Sequence, residues 1–218
     1  MTGESVVYPN VELSDDVRVG SWSLLGAAHR RLSVDHKHHD PGIDQLERVT
    51  IGSRTVIGHH VTVYEGVVVG NDCFIDDYVR VGSRTTIGSG TMLLYGVKIY
   101  DLVEIGSDCR IAGFVPTRVR MGDRVTMMGS IAHKYNRPLD WSRDEPSAVL
   151  EDDVIVGIGA TIVGGITVGR GSYVAAGAIL TKSIPPGSVV LNTNEIMTEV
   201  QFEERKRIQA EVVQAPLR

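Results

Sequence analysis

Aliphatic residues recur at every sixth position through the middle of the chain, with polar and small residues between them. The uninterrupted run comprises Ile51, Ile57, Val63, Val69, Ile75, Val81, Ile87, Leu93, Ile99, Ile105 and Ile111. An amphipathic helix repeats near 3.6 residues and an exposed strand near 2, so this period suits neither a helical bundle nor a sandwich. Each hexad predicts a short strand followed by a corner, and the series predicts a parallel β-solenoid.

The same period continues on both sides of the central run. It is present earlier at Val7, Leu13, Val19 and Leu25, and later at Met121, Met127, Leu150, Val156, Ile162, Val168, Val174 and Leu180. With glycine often following the aliphatic position, the chain resembles the hexapeptide-repeat proteins over roughly residues 7 to 190. The resemblance implies an all-β solenoid, a left-handed parallel β-helix with three hexads per coil, and therefore about seven to eight coils stacked ~4.8 Å apart.

Composition agrees with a narrow interior and excludes several functions. The 218 residues include 24 Gly but only 3 Phe and 2 Trp, as expected where branched aliphatic side chains fill a thin prism. A net charge of −5 disfavours nucleic-acid binding. No apolar run approaches the ~20 residues of a membrane span, and no signal peptide is recognised, so we expect a cytoplasmic protein without a membrane partner.

Cys73 and Cys109 occupy equivalent positions in hexads 36 residues apart. On the coil interpretation they lie on one face, two coils apart, at about twice the ~4.8 Å spacing. That separation exceeds the ~7 Å limit between the Cα atoms of a disulfide. We therefore expect two buried, unpaired thiols, with a catalytic thiol as the lesser alternative.

The period breaks at three places, where loops are expected to carry function. The breaks are residues 26–50, a four-residue excess near Phe114–Arg120, and residues 133–149. Because three hexads make one coil, the count of hexads between the breaks places the three breaks at three different corners of the prism. The prediction is a β-helix domain over 1–190 with inserted loops 26–50 and 133–149, followed by a helical tail over 191–218.

His133 stands where the next inward aliphatic residue is due, six positions after Met127. An imidazole changes protonation near neutral pH and can remove a proton from a hydroxyl or amine that attacks a carbonyl. The alternative is a solvated loop histidine. Within the same loop, Tyr135, Asp140 and Trp141 are candidate acceptor-binding residues, and Asp140, Asp144 and Glu145 are candidates to orient the imidazole.

The stretch from Leu150, and AAGAILTKSIPP in particular, closely resembles the C-terminal coils of coenzyme A-dependent hexapeptide acyltransferases of the galactoside and streptogramin acetyltransferase type. The resemblance implies acetyl transfer from acetyl coenzyme A to a hydroxyl or amine of a small acceptor, with His133 as general base and no metal. We favour a sugar or sugar-like acceptor. The resemblance also implies a homotrimer with active sites between subunits. The coenzyme A contacts it implies are Gly157, Ile158, Gly159, Ala176, Gly177, Thr181 and Lys182.

One segment departs from that family pattern. After the double proline a Gly-x-Pro-x-Arg-like segment is expected near the nucleotide end of coenzyme A, but the chain reads VVLNTNEIM and has no arginine there. Binding of the coenzyme A phosphates is then assigned to Lys182, Arg170, a neighbouring subunit or the tail. Lysine meets phosphate as a compact point charge.

Two other functions stay open on the sequence. The first loop holds His36, His38 and His39 between Asp35 and Asp40, which suggests metal but lacks a fixed ligand spacing. A γ-class carbonic anhydrase needs three histidines on adjacent coils and subunits, and His59 and His60 fall at an expected corner. A scaffold without catalytic activity is the third alternative, with the C-terminal tail as a cap and subunit contact.

Overall fold

The computed structural model describes residues 3–28, 46–134 and 146–192, the backbone of residues 31–32 and 38–39, and residues 204 and 207. The hexads in these ranges form strands of two to four residues. The strands of the N-terminal part are β1 (Val6–Val7), β2 (Val11–Leu13), β3 (Arg18–Val19), β4 (Leu24–Ala27), β5 (Arg31–Leu32), β6 (His38–His39), β7 (Val49–Ile51), β8 (Val56–Ile57), β9 (Thr62–Tyr64), β10 (Val68–Val69) and β11 (Phe74–Ile75).

The remaining strands continue to residue 190. They are β12 (Arg80–Val81), β13 (Thr86–Ile87), β14 (Met92–Leu93), β15 (Lys98–Ile99), β16 (Glu104–Ile105), β17 (Arg110–Ile111), β18 (Phe114–Val115), β19 (Arg120–Met121), β20 (Thr126–Met127), β21 (Ser130–Ala132), β22 (Val149–Leu150), β23 (Ile155–Val156), β24 (Thr161–Val163), β25 (Thr167–Val168), β26 (Tyr173–Val174), β27 (Ile179–Leu180) and β28 (Val189–Val190).

Three parallel sheets form the sides of a triangular prism. Sheet A contains β1, β4, β9, β12, β15, β18, β21, β24 and β27; sheet B contains β2, β7, β10, β13, β16, β19, β22 and β25; sheet C contains β3, β8, β11, β14, β17, β20, β23, β26 and β28. The chain visits A, B and C in turn, and we name its bends the A–B, B–C and C–A corners. The order is that of a parallel β-helix, as the hexad period predicts.

The core is a stack of aliphatic side chains, one from each side of each coil. In a typical strand the first residue points outward and the second is buried, as in β14, where Leu93 has no exposed surface. Leu93 is in register with Ile75 on one coil and Ile111 on the other. This alignment gives every inward residue an aliphatic neighbour above and below, which is the packing that close-packed interiors require.

Corner side chains join successive coils by hydrogen bonds. At the B–C corner, Thr91 Oγ1 donates to the Gly106 carbonyl at 2.9 Å and accepts from the Cys109 backbone N–H at 3.1 Å. Outside the same corner, Arg54 and Asp72 pair at 2.6 Å, and the guanidinium lowers the pKa of the Asp72 carboxyl. Because that pair is exposed, it adds little to stability.

Both cysteines are buried at the B–C corner and unpaired, as predicted. Thr91 lies between the two cysteines, because its Oγ1 accepts the Cys109 N–H and its carbonyl accepts the N–H of Phe74, the residue after Cys73. Burial raises the pKa of both thiols, which keeps them protonated at neutral pH. The structure thus favours the packing role over a catalytic thiol.

The number of coils differs from the expectation of seven to eight. Sheets A and C each contain nine strands, so the prism has nine coils. The expectation omitted several inward positions of the prism. Two of them are Val115 and Ile131, each four rather than six residues after the preceding inward residue, and the others belong to the last coil. The break near Phe114 is therefore a shortened C–A corner and not a four-residue excess.

The two inserted loops leave the prism at the same corner, which corrects the prediction of different corners. The first joins β4 to β7 and the second joins β21 to β22, so both span the A–B corner. The uncounted hexads at Val115 and Ile131 shift the phase and explain the error. Five coils separate the loops, or about 24 Å at the usual strand spacing.

Part of each inserted segment and most of the tail lie outside the described residues. Within the first loop, β5 and β6 pair antiparallel, with Arg31 opposite His39. In the tail, Glu204 and Arg207 are helical and lie 3.9 Å apart as an i,i+3 ion pair. Across the part of the chain that is described, no helix has the length and apolar character needed to cross a membrane.

Candidate functional site

His133 lies immediately after β21, at the edge of sheet A where the second inserted loop begins. The inward position of this coil is filled by Ile131, which has no exposed surface. The prediction that His133 stands at a core position is therefore wrong. Its half-buried ring packs edge-on toward Phe114, with the ring centroids 6.4 Å apart. The imidazole therefore belongs to the outer face of the prism, where a substrate can reach it.

The two ends of the second loop meet over Gly164. The Gly164 N–H donates to the Ala132 carbonyl at 2.7 Å. A Cβ at Gly164 would lie 2.8 Å from the Pro146 carbonyl oxygen and 3.3 Å from Lys134 N. Both ends are thus held against one coil, which fixes the backbone from which His133 projects.

A column of aromatic and cationic side chains leads along sheet A to Phe114 and His133. The Arg80 guanidinium lies 4.8 Å from the Tyr64 ring centroid and 4.7 Å from that of Tyr100. Tyr100 in turn packs on Phe114 at 5.1 Å. Sequence reasoning missed this column. The signal was that all four residues stand next to inward positions of sheet A, with Tyr64 and Tyr100 separated by 36 residues, or two coils.

The other residues predicted for the acceptor pocket cannot be placed. Tyr135, Asp140 and Trp141, and the candidate orienting residues Asp144 and Glu145, lie outside the described residues. Their roles stay predictions.

Five of the predicted coenzyme A contacts come together at two stacked C–A corners. Gly157, Ile158 and Gly159 form one corner, and Ala176 and Gly177 lie on the next coil, where the Gly177 N–H donates to the Ile158 carbonyl at 2.9 Å. Ile158 is 75% exposed. The two corners therefore offer a narrow ledge of backbone with one apolar side chain.

The two glycines of the first corner are needed for different reasons. A Cβ at Gly157 would lie 2.5 Å from the Ala176 backbone nitrogen, whereas one at Gly159 would meet open space. Gly159 instead has a left-handed backbone, with φ of 71°. The first glycine permits close stacking of coils and the second permits the bend.

Gly157→Ala is expected to destabilise the protein by about 3 kcal/mol, the upper range for overpacking, because neighbouring backbone must move. Gly159→Ala is expected to cost only about 1 kcal/mol, the cost of a left-handed non-glycine residue. Urea denaturation of the two variants beside the unsubstituted protein measures the difference. Equal losses would contradict the distinction between stacking and bending.

Thr181 and Lys182 lie at the opposite edge of sheet A, just after β27, and both side chains are exposed. The register of β27 on β24 continues to place Thr181 beside Val163, and Lys182 beside Gly164. The predicted coenzyme A contacts are thus divided between the two edges of sheet A, and Ile179 of β27, which is 70% exposed, lies between them. From Gly177 to Lys182 this strip is about 16 Å long at the usual rise per residue.

Arg170, the other predicted phosphate ligand, lies away from this strip. It is at the B–C corner, where its guanidinium pairs with Asp152 at 3.0 Å and its backbone N–H donates to Glu151 Oε2. This position separates Arg170 from Lys182, which lies beside the strip.

The histidines outside the second loop either belong to structural contacts or strands, or lie outside the described residues. His59 Nδ1 accepts the Ser21 N–H at 2.9 Å, and the His60 ring stacks on Tyr78 with centroids 4.8 Å apart. His38 and His39 form β6, while His36, Asp35 and Asp40 lie outside the described residues. Within the ranges given above, no group of three or more His, Cys, Asp or Glu side chains is arranged to hold a metal.

Comparison with protein families supports the hexad assignment at both ends of the prism. Residues 147–182 match the family described as bacterial transferase hexapeptide (six repeats), and residues 48–76 match the hexapeptide repeat of succinyl-transferase. The chain is 25% identical to the bifunctional protein GlmU of Herminiimonas arsenicoxydans over 189 residues, 87% of this chain and 36% of GlmU. Two segments of the chain thus match hexapeptide repeats of the transferase type.

A second relative of this hexapeptide-repeat protein matches over a shorter stretch. It is the 2,3,4,5-tetrahydropyridine-2,6-dicarboxylate N-acetyltransferase of Staphylococcus aureus, 49% identical over 53 residues, which are 23% of this chain and 22% of that enzyme. The chain thus spans about a third of the one curated relative and about a fifth of the other.

Solved structures of hexapeptide-repeat enzymes share the fold. The UDP-N-acetylglucosamine acyltransferase from Campylobacter jejuni superposes with a TM-score of 0.51 and 18% identity, covering 93% of this chain and 76% of that one. LpxA from Acinetobacter baumannii gives 0.51 and 16%, covering 93% and 75%. These similarities confirm the predicted left-handed parallel β-helix.

Proposed function

We propose that this hexapeptide-repeat protein transfers an acetyl group from acetyl coenzyme A to a hydroxyl or amine of a small acceptor. The observation that carries the proposal is that sheet A presents both parts of the reaction. His133 follows β21, and the predicted donor contacts lie at the corner before β24 and at the two ends of β27, one and two coils further along the same sheet. Adjacent coils are ~4.8 Å apart, so the two parts lie about 5 to 10 Å apart along the axis.

The donor is held along the outer edge of β27. The ledge at Gly157–Gly159 and Ala176–Gly177 supplies exposed backbone groups for the amides of the pantetheine arm, and Ile158 and Ile179 supply apolar contact. At the other end Lys182 meets a phosphate of the nucleotide as a point charge. Lys182 lies at the edge of sheet A that also carries His133, whereas the ledge lies at the opposite edge.

The reaction is a direct transfer with His133 as general base. The imidazole accepts the proton of the acceptor O–H or N–H while the oxygen or nitrogen forms a bond to the acyl carbon. Collapse of the tetrahedral intermediate breaks the C–S bond, and the proton passes to the departing thiolate to give free coenzyme A. Backbone N–H groups stabilise the oxyanion.

The names of two similar proteins favour acyl transfer. The Staphylococcus aureus relative is an N-acetyltransferase, and the Campylobacter jejuni structure is that of a UDP-N-acetylglucosamine acyltransferase. We propose a sugar or sugar-like acceptor and a homotrimer with shared active sites. Exposed apolar residues on sheet C of the last coils, Ile155, Tyr173, Val189 and Leu191, support a covered surface there.

Acetyl coenzyme A is expected to bind the purified protein saturably and to acetylate a member of an acceptor panel of sugars, nucleotide sugars and amino acids. Calorimetry measures donor binding, and mass spectrometry detects a product heavier by one acetyl group. Lys182→Ala is expected to weaken donor binding by about tenfold, the scale of one charge-assisted contact. Arg170→Ala, at the far corner, serves as its control. Absence of donor binding by the unsubstituted protein would contradict the proposal.

A further inference from the structure

The outer face of sheet A extends on both sides of β21, the strand that precedes His133. The predicted donor contacts lie on one side, at the corner before β24 and at the ends of β27, whereas β18, β15 and β12 lie on the other. The column of aromatic and cationic side chains occupies this other side and reaches the imidazole through Phe114. It is therefore the surface beside His133 that the predicted donor contacts leave free.

The strands of sheet A carry positive charge alone. Their sequences contain two charged residues, Arg80 on β12 and Lys98 on β15, and neither aspartate nor glutamate. The two cations are in register on adjacent coils. At the corners before β12 and after β15, the carboxylates of Asp77 and Asp101 accept backbone N–H groups of the preceding coil at 2.6 and 2.9 Å. The outer face of these strands is therefore positive, in a protein whose net charge is −5.

Lys98 is the cation of this face that is open to a ligand. Its side chain is exposed, and within the described ranges no hydrogen bond or ion pair holds its ammonium group. Arg80, by contrast, lies between the Tyr64 and Tyr100 rings and donates through Nη1 to the Ile99 carbonyl at 2.9 Å. The guanidinium thus braces the rings, while the ammonium can meet an anion as a compact point charge.

Two aromatic rings lie beside Lys98 on the way to His133. Lys98 is in register with Phe114 on β18. Tyr100, two residues after Lys98, packs on Phe114 with the ring centroids 5.1 Å apart and is 37% exposed. Aromatic side chains offer a large apolar contact area, and tyrosine adds a polar tip. The ammonium and the two rings therefore place an anion site next to a surface suited to a ring.

The span from Lys98 to the imidazole suits a small acceptor. β15 lies two coils before β21, or about 10 Å along the axis at the usual strand spacing. Phe114 stands between them, with its centroid 6.4 Å from that of His133. An acceptor held by an anionic group at Lys98 can therefore cross Phe114 and present a hydroxyl or amine to the imidazole when a single ring joins the two groups.

We propose that the outer face of β15 and β18 binds the acceptor, and that the acceptor is a ring compound bearing a phosphate or carboxylate group. Lys98 pairs with the anionic group, and Tyr100 and Phe114 contact the ring. The role in acyl transfer rests on the proposed function, whereas the anion-and-ring site itself does not. A neutral sugar forgoes the Lys98 contact, so this face selects anionic acceptors.

Phenyl phosphate and benzoate carry a ring with a phosphate or a carboxylate, and phenyl glucoside carries the ring without charge. Each is titrated into the whole protein by calorimetry at constant ionic strength, so that general screening stays fixed. We expect saturable binding of at least one anionic probe, about fivefold tighter than that of phenyl glucoside, the upper end of the range for an exposed charge pair. The tighter anionic probe identifies the group as phosphate or carboxylate.

Lys98→Gln is expected to weaken binding of the anionic probe about fivefold, since it removes the exposed charge and keeps a polar side chain. Arg110→Gln is the matched control, because Arg110 is the exposed outward cation of β17 on sheet C in the same coil, and should leave binding unchanged. Tyr100→Leu should weaken binding about threefold, within the range for one aromatic contact. Tyr173→Leu, at an exposed tyrosine of sheet C, is its control.

Absence of saturable binding by both anionic probes, or equal weakening by Lys98→Gln and Arg110→Gln, would overturn the site. Saturating acetyl coenzyme A should leave probe binding unchanged, and displacement of the probe would assign this face to the donor and overturn the acceptor role. His133→Ala is expected to retain probe binding. Probe binding without any acyl transfer by the unsubstituted protein would overturn the proposed function alone.

Discussion

Replacement of His133 by alanine is expected to lower the rate of acetyl transfer by at least about 100-fold, the low end of the effect of losing a general base. The side chain is half-buried on the outer face of sheet A and contacts Phe114, while the core position of its coil belongs to Ile131. The variant should therefore fold normally and bind acetyl coenzyme A with unchanged affinity. Release of the coenzyme A thiol measures the rate.

Two variants make the result specific to the imidazole. Lys134→Ala removes the exposed neighbour and should change the rate less than about threefold, since a surface substitution disturbs little. Phe114→Leu keeps an apolar contact but loses the ring at 6.4 Å, so it tests whether that contact positions the imidazole. If His133→Ala turns over at a near-normal rate, His133 is not the base.

Much of the fold follows from the sequence because the hexad is a local and repeated unit. From Ile51 to Ile111, where six residues separate the inward aliphatic side chains without interruption, every predicted inward position is buried, whereas Val7 and Leu13 of the first coil are 45% and 39% exposed. Each coil contacts only its neighbours, so one correct hexad predicts the next. The buried cysteines follow from the same spacing.

The errors arise where two corners are shorter. Ala112 and Gly113 make one C–A corner in two residues, and Met128 and Gly129 make the next. Val115 and Ile131 consequently fall four residues after the preceding inward side chain, a spacing that the six-residue rule reads as an interruption. Because the count of hexads omitted these two positions, it placed the loops at different corners.

The candidate site was predictable in parts only. The resemblance selects residues by local motif, but it cannot show that Gly157 and Lys182 lie at opposite edges of sheet A, because that depends on the direction of β27.

The assignment of Ile131 rather than His133 to the core makes a strong prediction for stability. Ile131→Ala is expected to lower the free energy of unfolding by about 3 kcal/mol, within the usual range for emptying a buried isoleucine site. Ile131 has no exposed surface and is in register with Ile162 on the next coil, so the cavity would be enclosed. Urea denaturation followed by circular dichroism measures the loss.

Ile155→Ala is the matched control, since Ile155 is an isoleucine of the same coil that points outward and is 45% exposed. We expect it to cost less than about 1 kcal/mol, because only part of its apolar surface leaves water on folding. His133→Ala should likewise change the free energy of unfolding little. A large loss for His133→Ala with a small one for Ile131→Ala would restore the strict six-residue phase and place the imidazole inside the prism, where it could not reach an acceptor.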